Sequence, residues 1–369
     1  MKEAKYLQLK EDLLKKIKRG DLPAGEKIPS ENTLAAQYQL SRQTVRKAIA
    51  ELTQEGFLYP EHGRGTFVSQ WAIHTNTSKN IAVVTTYLSD YIFPRVIQGI
   101  EQVLSANGYS IVLKTTGNSR AAEARCIEEL LSKDIDGMII EPSKSQISCR
   151  HTSLYDQMDE YQIPYVFMQG FFHQLKNKPY VVMDDKQGGY LITKHLLELG
   201  HRKILGIFKA DDVQGQERHK GYVRALQEYG ILYAPEYVTW FYTEDRELKP
   251  REVIASHITG DIPFDAVVCY NDQIAVEVIR TIREYGKKVP RDISVTGFDN
   301  SLLSRNTHIP ITTVAHPQEK LGSLAAELML KLIRRETVSE EALHIRIEPE
   351  VVVRDSTAPH SRISYKSFM

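Results

Sequence analysis

A chain of 369 residues with 42% hydrophobic content is long enough for two or three domains and carries enough apolar side chains to bury sizeable cores, the composition of a globular protein. Lys plus Arg and Asp plus Glu both number 47, so the total charge argues neither for nor against nucleic acid, although residues 1–70 hold 12 basic against 9 acidic side chains and the rest 35 against 38. Cys126, Cys149 and Cys269 have no CxxC or Cys/His ligand spacing and leave one unpaired in any disulfide scheme, which suits a reducing compartment and argues against a structural zinc.

In chain order, MKEAKYLQLKEDLLKKIKRG has the spacing of an amphipathic helix with charges at every turn. It lacks the apolar run and small-residue cleavage site of a secretion signal. No later apolar run approaches the ~20 residues that span a bilayer, so a cytoplasmic location is expected. Ser30 to Val68 then reads as two short helices, a tight turn and a glycine-tipped ribbon: a winged helix-turn-helix. Ser41 stands at an N-cap position, and Val45, Ile49 and Leu52 recur at helical spacing behind it. The opposite face carries Arg42, Gln43, Thr44, Arg46 and Lys47, with 42/46 and 43/47 one turn apart, so donors suited to guanine, adenine and phosphate project together. In FLYP-EHGRG-TFV, Gly63 and Gly65 tolerate a positive φ and leave His62 and Arg64 at a tip shaped for a minor groove.

The order PSE, SRQTVRKA and GRGTF resembles the GntR-type DNA-binding module over residues 4–69. The resemblance implies double-stranded operator DNA as a partner, with contacts from Lys5, Arg42, Gln43, Thr44, Arg46, His62, Gly63, Arg64 and Thr66; Lys47 and Gly65 belong to the same faces. Ser30, Glu31 and Ser41 fit equally as helix caps or first-turn residues facing the helix dipole.

Residues 71–79 lose both periodicities and read as a linker after a first domain of residues 1–70. From Asn80 onward, short β-branched runs alternate with helical patterns: IAVVTT, a helix around 95–106, YSIVLKTT, a helix around 121–131, DGMIIEP and PYVFMQ. There follow a helix over 188–199, KILGIFK, a helix over 217–228, AVVCY, a helix over 272–284 and ISVTGFD. Strands buried on both faces and alternating with helices make parallel sheets, and there are too many units for one sheet. The expected fold class is therefore α/β: a small α+β winged helix-turn-helix domain, then two doubly wound lobes whose ligand lies beyond the carboxyl ends of the strands.

Those strand-end loops carry YLSDYIFP, EPSKS, QGFF, DDKQGG, KADDVQGQERHKGY, YNDQ and FDNS. Flat aromatic faces beside Asp, Asn and Arg suit a neutral polyhydroxyl ligand, although Asp184 and Asp272 could each cap the helix that follows. RVIQGIEQVLSANGYSIVL, DGMIIEPS, GGYLITKHLLELGHRKILGI, ERHKGYVRAL, YNDQIAVEVIRTIREYGKKVPRDISVTGFDNS and TTVAHPQEKLGSLAAELML resemble the sugar-binding core of LacI/GalR repressors, itself similar to periplasmic sugar-binding proteins. That resemblance implies an effector-binding and dimerisation domain over residues 80–356 and a homodimer. The first lobe would span about 80–182 plus 317–340, the second about 183–315 plus 341–356, with a tail over 357–369. Effector contacts are implied for Tyr91, Phe93, Glu141, Asp184, Arg218, Asn271, Asp299 and His316. Arg218 and Asn271 would bond ring hydroxyls, Glu141 and Asp299 would accept from them, and Tyr91 or Phe93 would stack.

A GntR-type head on such a core, with TTYLSDYIFP, IFKADDVQG and CYNDQIA, resembles the sugar-responsive repressors of Gram-positive bacteria that answer to L-arabinose. A transcriptional repressor of sugar-utilisation genes is implied, with no catalytic residue, metal or cofactor. The rivals are the same regulator with another pentose or a nucleoside, a sugar-modifying enzyme, and an exported sugar carrier. No G-x-S-x-G, H-E-x-x-H or complete phosphate loop supports the enzyme, and the lack of a signal peptide counts against the carrier. Leu321, Leu324, Ala325, Leu328 and Leu332 form a helical stripe that either a core or a partner subunit would bury.

Overall fold

The computed structural model describes residues 5–19, 21–23, 25–61, 63–69, 78–88 and 91–360. Its first unit is three helices and a ribbon: α1 (Lys5–Arg19), α2 (Glu31–Tyr38), α3 (Arg42–Gln54), β1 (Leu58–Glu61) and β2 (Gly65–Val68). Ser30 and Ser41 open α2 and α3, their hydroxyls accepting from the backbone N–H of Thr33 and Thr44 at 3.2 and 3.1 Å. Val45, Ala48, Ile49 and Leu52 are buried against Leu9, Leu13 and Ile17 of α1, Leu34 of α2 and Val68 of the ribbon. β1 and β2 pair antiparallel from Leu58↔Val68 to Glu61↔Gly65, and the tip turns through Gly63 and Gly65 at φ +75° and +124°.

The rest of the chain builds two six-stranded sheets. The first draws on β3 (Asn80–Thr85), α4 (Phe93–Ala106), β4 (Ser110–Thr115), α5 (Arg120–Leu131), β5 (Gly137–Ile140), α6 (Thr152–Glu160), β6 (Tyr165–Met168) and β7 (Tyr180–Met183). The second begins with α7 (Asp185–Glu198), β8 (Ile204–Lys209), α8 (Val213–Glu228), β9 (Val238–Phe241), α9 (Lys249–Thr259) and β10 (Ala266–Cys269). It continues through α10 (Asp272–Glu284), β11 (Ser294–Asp299), α11 (Leu302–Asn306) and β12 (Thr312–Ala315). The chain then returns to the first lobe with α12 (Gln318–Ile333), α13 (Glu340–Leu343) and β13 (His344–Ile347), and ends in the second with β14 (Glu350–Val352). The strand orders are β13-β7-β6-β5-β3-β4, all parallel, and β14-β12-β11-β10-β8-β9, parallel except for β14. Each order reverses once, between β3 and β5 in one lobe and between β8 and β10 in the other, and these reversals open the crevices where ligands of such sheets lie.

Several boundaries differ from the sequence reading. α7 and α8 start at Asp185 and Val213, three and four residues earlier than expected, because Asp184 and Asp212 cap them through the N–H groups of Gln187 and Gly215. Residues 341–347 belong to the first lobe, not the second, since β13 pairs in parallel with β7 from His344↔Tyr180 to Ile347↔Met183. The chain therefore crosses between lobes after β7, after β12 and between β13 and β14. Residues 357–360 are no tail: the Ala358 N–H donates to Ser294 Oγ at 3.2 Å and the His360 N–H to the Leu199 carbonyl at 2.8 Å. On α12, Leu321, Ala325 and Leu328 are fully buried in the first-lobe core, with Leu324 and Leu332 packed against it, so the stripe is filled from within its own chain. No helix among the described residues is long and apolar enough to cross a membrane.

Candidate functional site: a DNA-reading face and an effector cleft

On the first unit, Arg42 and Arg46 stand on one side of α3 with side chains 62% and 64% exposed. Glu31, in the first turn of α2, forks between them: Arg42 Nε donates to Oε2 at 3.0 Å, and Arg46 Nε and Nη2 donate to Oε1 and Oε2 at 3.1 and 3.0 Å. The two guanidinium groups, Arg46 foremost, hold this carboxyl below its ordinary range. Gln43 is exposed, Thr44 half-buried, and Lys47 lies with Nζ 3.7 Å from the centre of the Tyr6 ring, which draws it toward α1. Lys5 is exposed at the start of α1. In the wing, Arg64 pairs with Glu61 and lies 5.5 Å over the Phe67 ring, beside Gly63, Gly65 and Thr66. Lys27, which the sequence did not single out, packs its aliphatic end where a side chain on Gly65 would sit. His62 lies outside the described residues.

Between the lobes is a cavity of about 730 Å³ lined by Tyr91, Phe93, Glu141, Arg218, Asn271, Asp299 and His316, seven of the eight effector residues expected. The eighth, Asp184, caps α7 at a lobe crossing and does not line the cavity; its neighbour Asp185 does not line it either, but is buried and accepts from Arg218 Nε, which does, at 2.8 Å. Asp184→Ala should cost about 1 kcal/mol of stability, read by urea unfolding, and leave sugar affinity unchanged. A tenfold loss of affinity would restore Asp184 to the site.

Arg218 is the hub of the second lobe's wall. α7 and α8 cross with backbones touching, since a β-carbon on Gly189 would stand 2.1 Å from the Arg218 carbonyl oxygen. That approach aims the guanidinium over the Phe298 ring, 3.6 Å from its centre, with Nη1 donating to the Tyr270 carbonyl at 2.6 Å and Nη2 3.5 Å from Asp299 Oδ1. Burial would lower the Arg218 pKa, but Asp185 and Asp299 more than offset it. For Asp185, burial outweighs the arginine and pushes the carboxyl up to about 6.

The first lobe answers with Glu141 at the end of β5. Thr86, at the end of β3, donates its N–H and hydroxyl to Oε2 at 2.7 and 2.8 Å, leaving Oε1 to the cavity. Burial raises this carboxyl to about 7 despite those bonds. Asn271 caps α10 through Oδ1, so its amide nitrogen is the part left for a ligand. The Tyr91 hydroxyl donates to Asp299 Oδ2 at 2.7 Å and accepts from the Asp272 N–H at 3.2 Å. It ties the lobes together, and its ring lines the cavity with Phe93, Tyr87, Phe241 and Tyr270. His316, at another crossing, reaches Gln169 Oε1 through Nε2 at 2.8 Å and is pushed down to about 4, chiefly by burial. Among the described residues, Asp299 Oδ1, His316 Nδ1 and Gln169 Nε2 have no hydrogen-bond partner, and all three residues line the cavity. Such buried polar atoms call for a hydrogen-bonding ligand.

Sequence reasoning passed over Lys209, Asp212, Tyr270 and Gln169. Lys209 Nζ stands 3.0 Å from Asp212 Oδ2, which also accepts from the Tyr270 hydroxyl at 2.6 Å. Lys209, Asp212 and Tyr270 sit in runs already quoted, KADDVQG and CYNDQ, at the ends of β8 and β10, where the strand order reverses, and that position was the available signal; Gln169 opens QGFF at the end of β6.

Residues 5–68 match the family model described as bacterial regulatory proteins of the gntR family, and residues 193–357 match the periplasmic binding protein-like domain. The chain is 41% identical over 356 residues to the arabinose metabolism transcriptional repressor of Geobacillus stearothermophilus, covering 96% of this chain and 97% of that one. It is also 41% identical over 367 residues to the protein of the same name from Halalkalibacterium halodurans, with the same shares covered. Among solved structures, the transcriptional regulator CelR in complex with cellobiose superposes with a TM-score of 0.67 at 25% identity, covering 89% of this chain and all of that one. With a gntR-type head, a two-lobe core and matches spanning nearly its whole length, this chain belongs to the family of DNA-binding transcriptional repressors that includes the arabinose metabolism repressors.

Proposed function

We propose that L-arabinose is the effector that releases this repressor from its operator, and that the chain acts as a homodimer through its two-lobe domain, binding sugar without turning it over. One observation carries the reading. Glu141 from one lobe, and Lys209, Asp212, Arg218 and Asp299 from the other, converge on a single cavity where carboxylates and cations nearly balance. That set offers acceptors and donors to the hydroxyls of an uncharged sugar, with Phe93 for its C–H face. The pentose assignment is supported by the relatives' names. The homodimer is supported by the two half-sites that two-fold operators present, one DNA turn or a multiple apart.

Calorimetric titration of the full chain with L-arabinose, D-xylose, D-ribose and a nucleoside tests the effector, alongside release of bound operator. One sugar per chain, with L-arabinose tightest and alone in releasing DNA, is the expected result. Tightest binding by another ligand reassigns the effector, and conversion of the sugar to product defeats the binding-only reading.

Glu141 makes affinity depend on pH. With its carboxyl at about 7, it is mainly protonated at pH 6 and mainly ionised at pH 8. A sugar hydroxyl donating to Oε1 favours the ionised form, so affinity should rise by roughly tenfold across that interval, with a proton released on binding below pH 7. Glu141→Gln should flatten the profile. An unflattened profile would move the proton to Asp272, which burial and then Asp299 also raise to about 7.

A further inference from the structure

Away from the cleft, the C-terminal segment crosses the second lobe and brings a second constellation together. His201 precedes β8, Asp265 precedes β10 and His360 ends the described chain; one ligand atom from each lies within 4.8 Å of the others. The carboxylate is held in place: Asp265 Oδ2 accepts from the N–H groups of Arg202 and Lys203, both at 3.2 Å, while Oδ1 faces His201 Nδ1, also at 3.2 Å.

The other imidazole nitrogen fixes the tautomer. His201 Nε2 lies 3.1 Å from the Ala358 carbonyl oxygen, so it is the nitrogen that carries the hydrogen. A neutral imidazole has no second hydrogen, and Nδ1 then turns its lone pair toward a carboxylate oxygen. Two acceptors at that distance repel unless a cation stands between them. Two ligand atoms on a tetrahedral zinc-type ion, each bonded at about 2.0–2.2 Å, stand about 3.3–3.6 Å apart, so the 3.2 Å between His201 and Asp265 needs to open only slightly. The carbonyl behind His201 and the two amides behind Asp265 are the outer partners that orient metal ligands. The His360 ring, centred 5.4 Å from that of His201, needs a side-chain rotation to supply the third ligand.

We propose that His201, Asp265 and His360 form a site for a divalent transition metal, zinc or a close chemical relative, with a fourth position open to water. The bound ion fastens residues 354–360 to the loops before β8 and β10, adding to the backbone bond from His360 to Leu199.

The test uses the full chain stripped with a chelator. Calorimetry with Zn²⁺, and visible absorption with Co²⁺ as a reporter of tetrahedral geometry, should both show one ion per chain, and Zn²⁺ should raise the melting temperature. His360→Ala, a change outside the buried core, should weaken binding about tenfold or more and abolish the rise in melting temperature. It should leave sugar titration intact, which shows that the variant is folded. Asp265→Asn should weaken binding as well. If no ion binds stoichiometrically, or His360→Ala binds as the parent does, the cation between His201 and Asp265 is a proton and the metal site is overturned.

Discussion

Replacing Arg218 with Met should remove measurable sugar binding and lower the free energy of unfolding by about 3–5 kcal/mol, the cost of leaving a buried partner's charge uncompensated. The size follows from the number of groups that depend on one guanidinium: the carboxylates of Asp185 and Asp299, the Tyr270 carbonyl and the face of Phe298. The loss should itself depend on pH. Asp185 already stands at about 6, above its ordinary value, so its contribution to stability is fully present below pH ~4 and falls away as the pH rises through 6. Without the arginine this carboxyl rises further, and the variant should suffer most at pH 8 and least at pH 5. Urea unfolding at both values checks the sign. Arg218→Met combined with Asp185→Asn should recover part of the stability and none of the sugar binding, which separates the arginine's two tasks.

Arg46→Ala should weaken operator binding by about 1–3 kcal/mol and blur preference at one base pair while sugar affinity stays as it was. Its geometry is set by Glu31, which holds Arg46 and Arg42 side by side on the exposed face of α3. The carboxylate also repels phosphate, so Glu31→Gln should bind a scrambled operator more tightly and the true one with less discrimination. Competition between the two DNAs at one salt concentration measures both effects. If Arg46→Ala keeps the parent's ratio between them, Arg46 is not a base reader.

The contrast between Arg46 and Glu31 shows what the sequence could disclose. The arginines fall one turn apart in an amphipathic helix, and periodicity exposes such a pair directly. Glu31 stands 15 residues from Arg46 on another helix; only the turn angle between α2 and α3 brings them within 3.0 Å. The cleft divides in the same way. Polar residues at strand ends were visible as candidates, yet which of Asp184 and Asp185 caps the helix and which holds Arg218 depends on where α7 begins. The leucine stripe of α12 was ambiguous for a related reason: spacing shows that a face is buried but not against what, and here the first-lobe core claims it. β13 escaped notice because His344–Ile347 is four residues, only the last of them buried, and its partner β7 lies about 160 residues earlier in the chain.

The three crossings between the lobes limit how the cleft can move. A single connecting segment would let one lobe swing and twist freely about the other, whereas three connections, two of them joined by the bond from the Asp184 N–H to the Ile347 carbonyl at 3.0 Å, restrain twisting and favour rocking. The polypeptide is also redundant at this joint. One backbone scission at 348–349, between β13 and β14, would leave two covalent bridges standing. A chain nicked there should still rock, still report its sugar, and migrate as one piece until it is denatured.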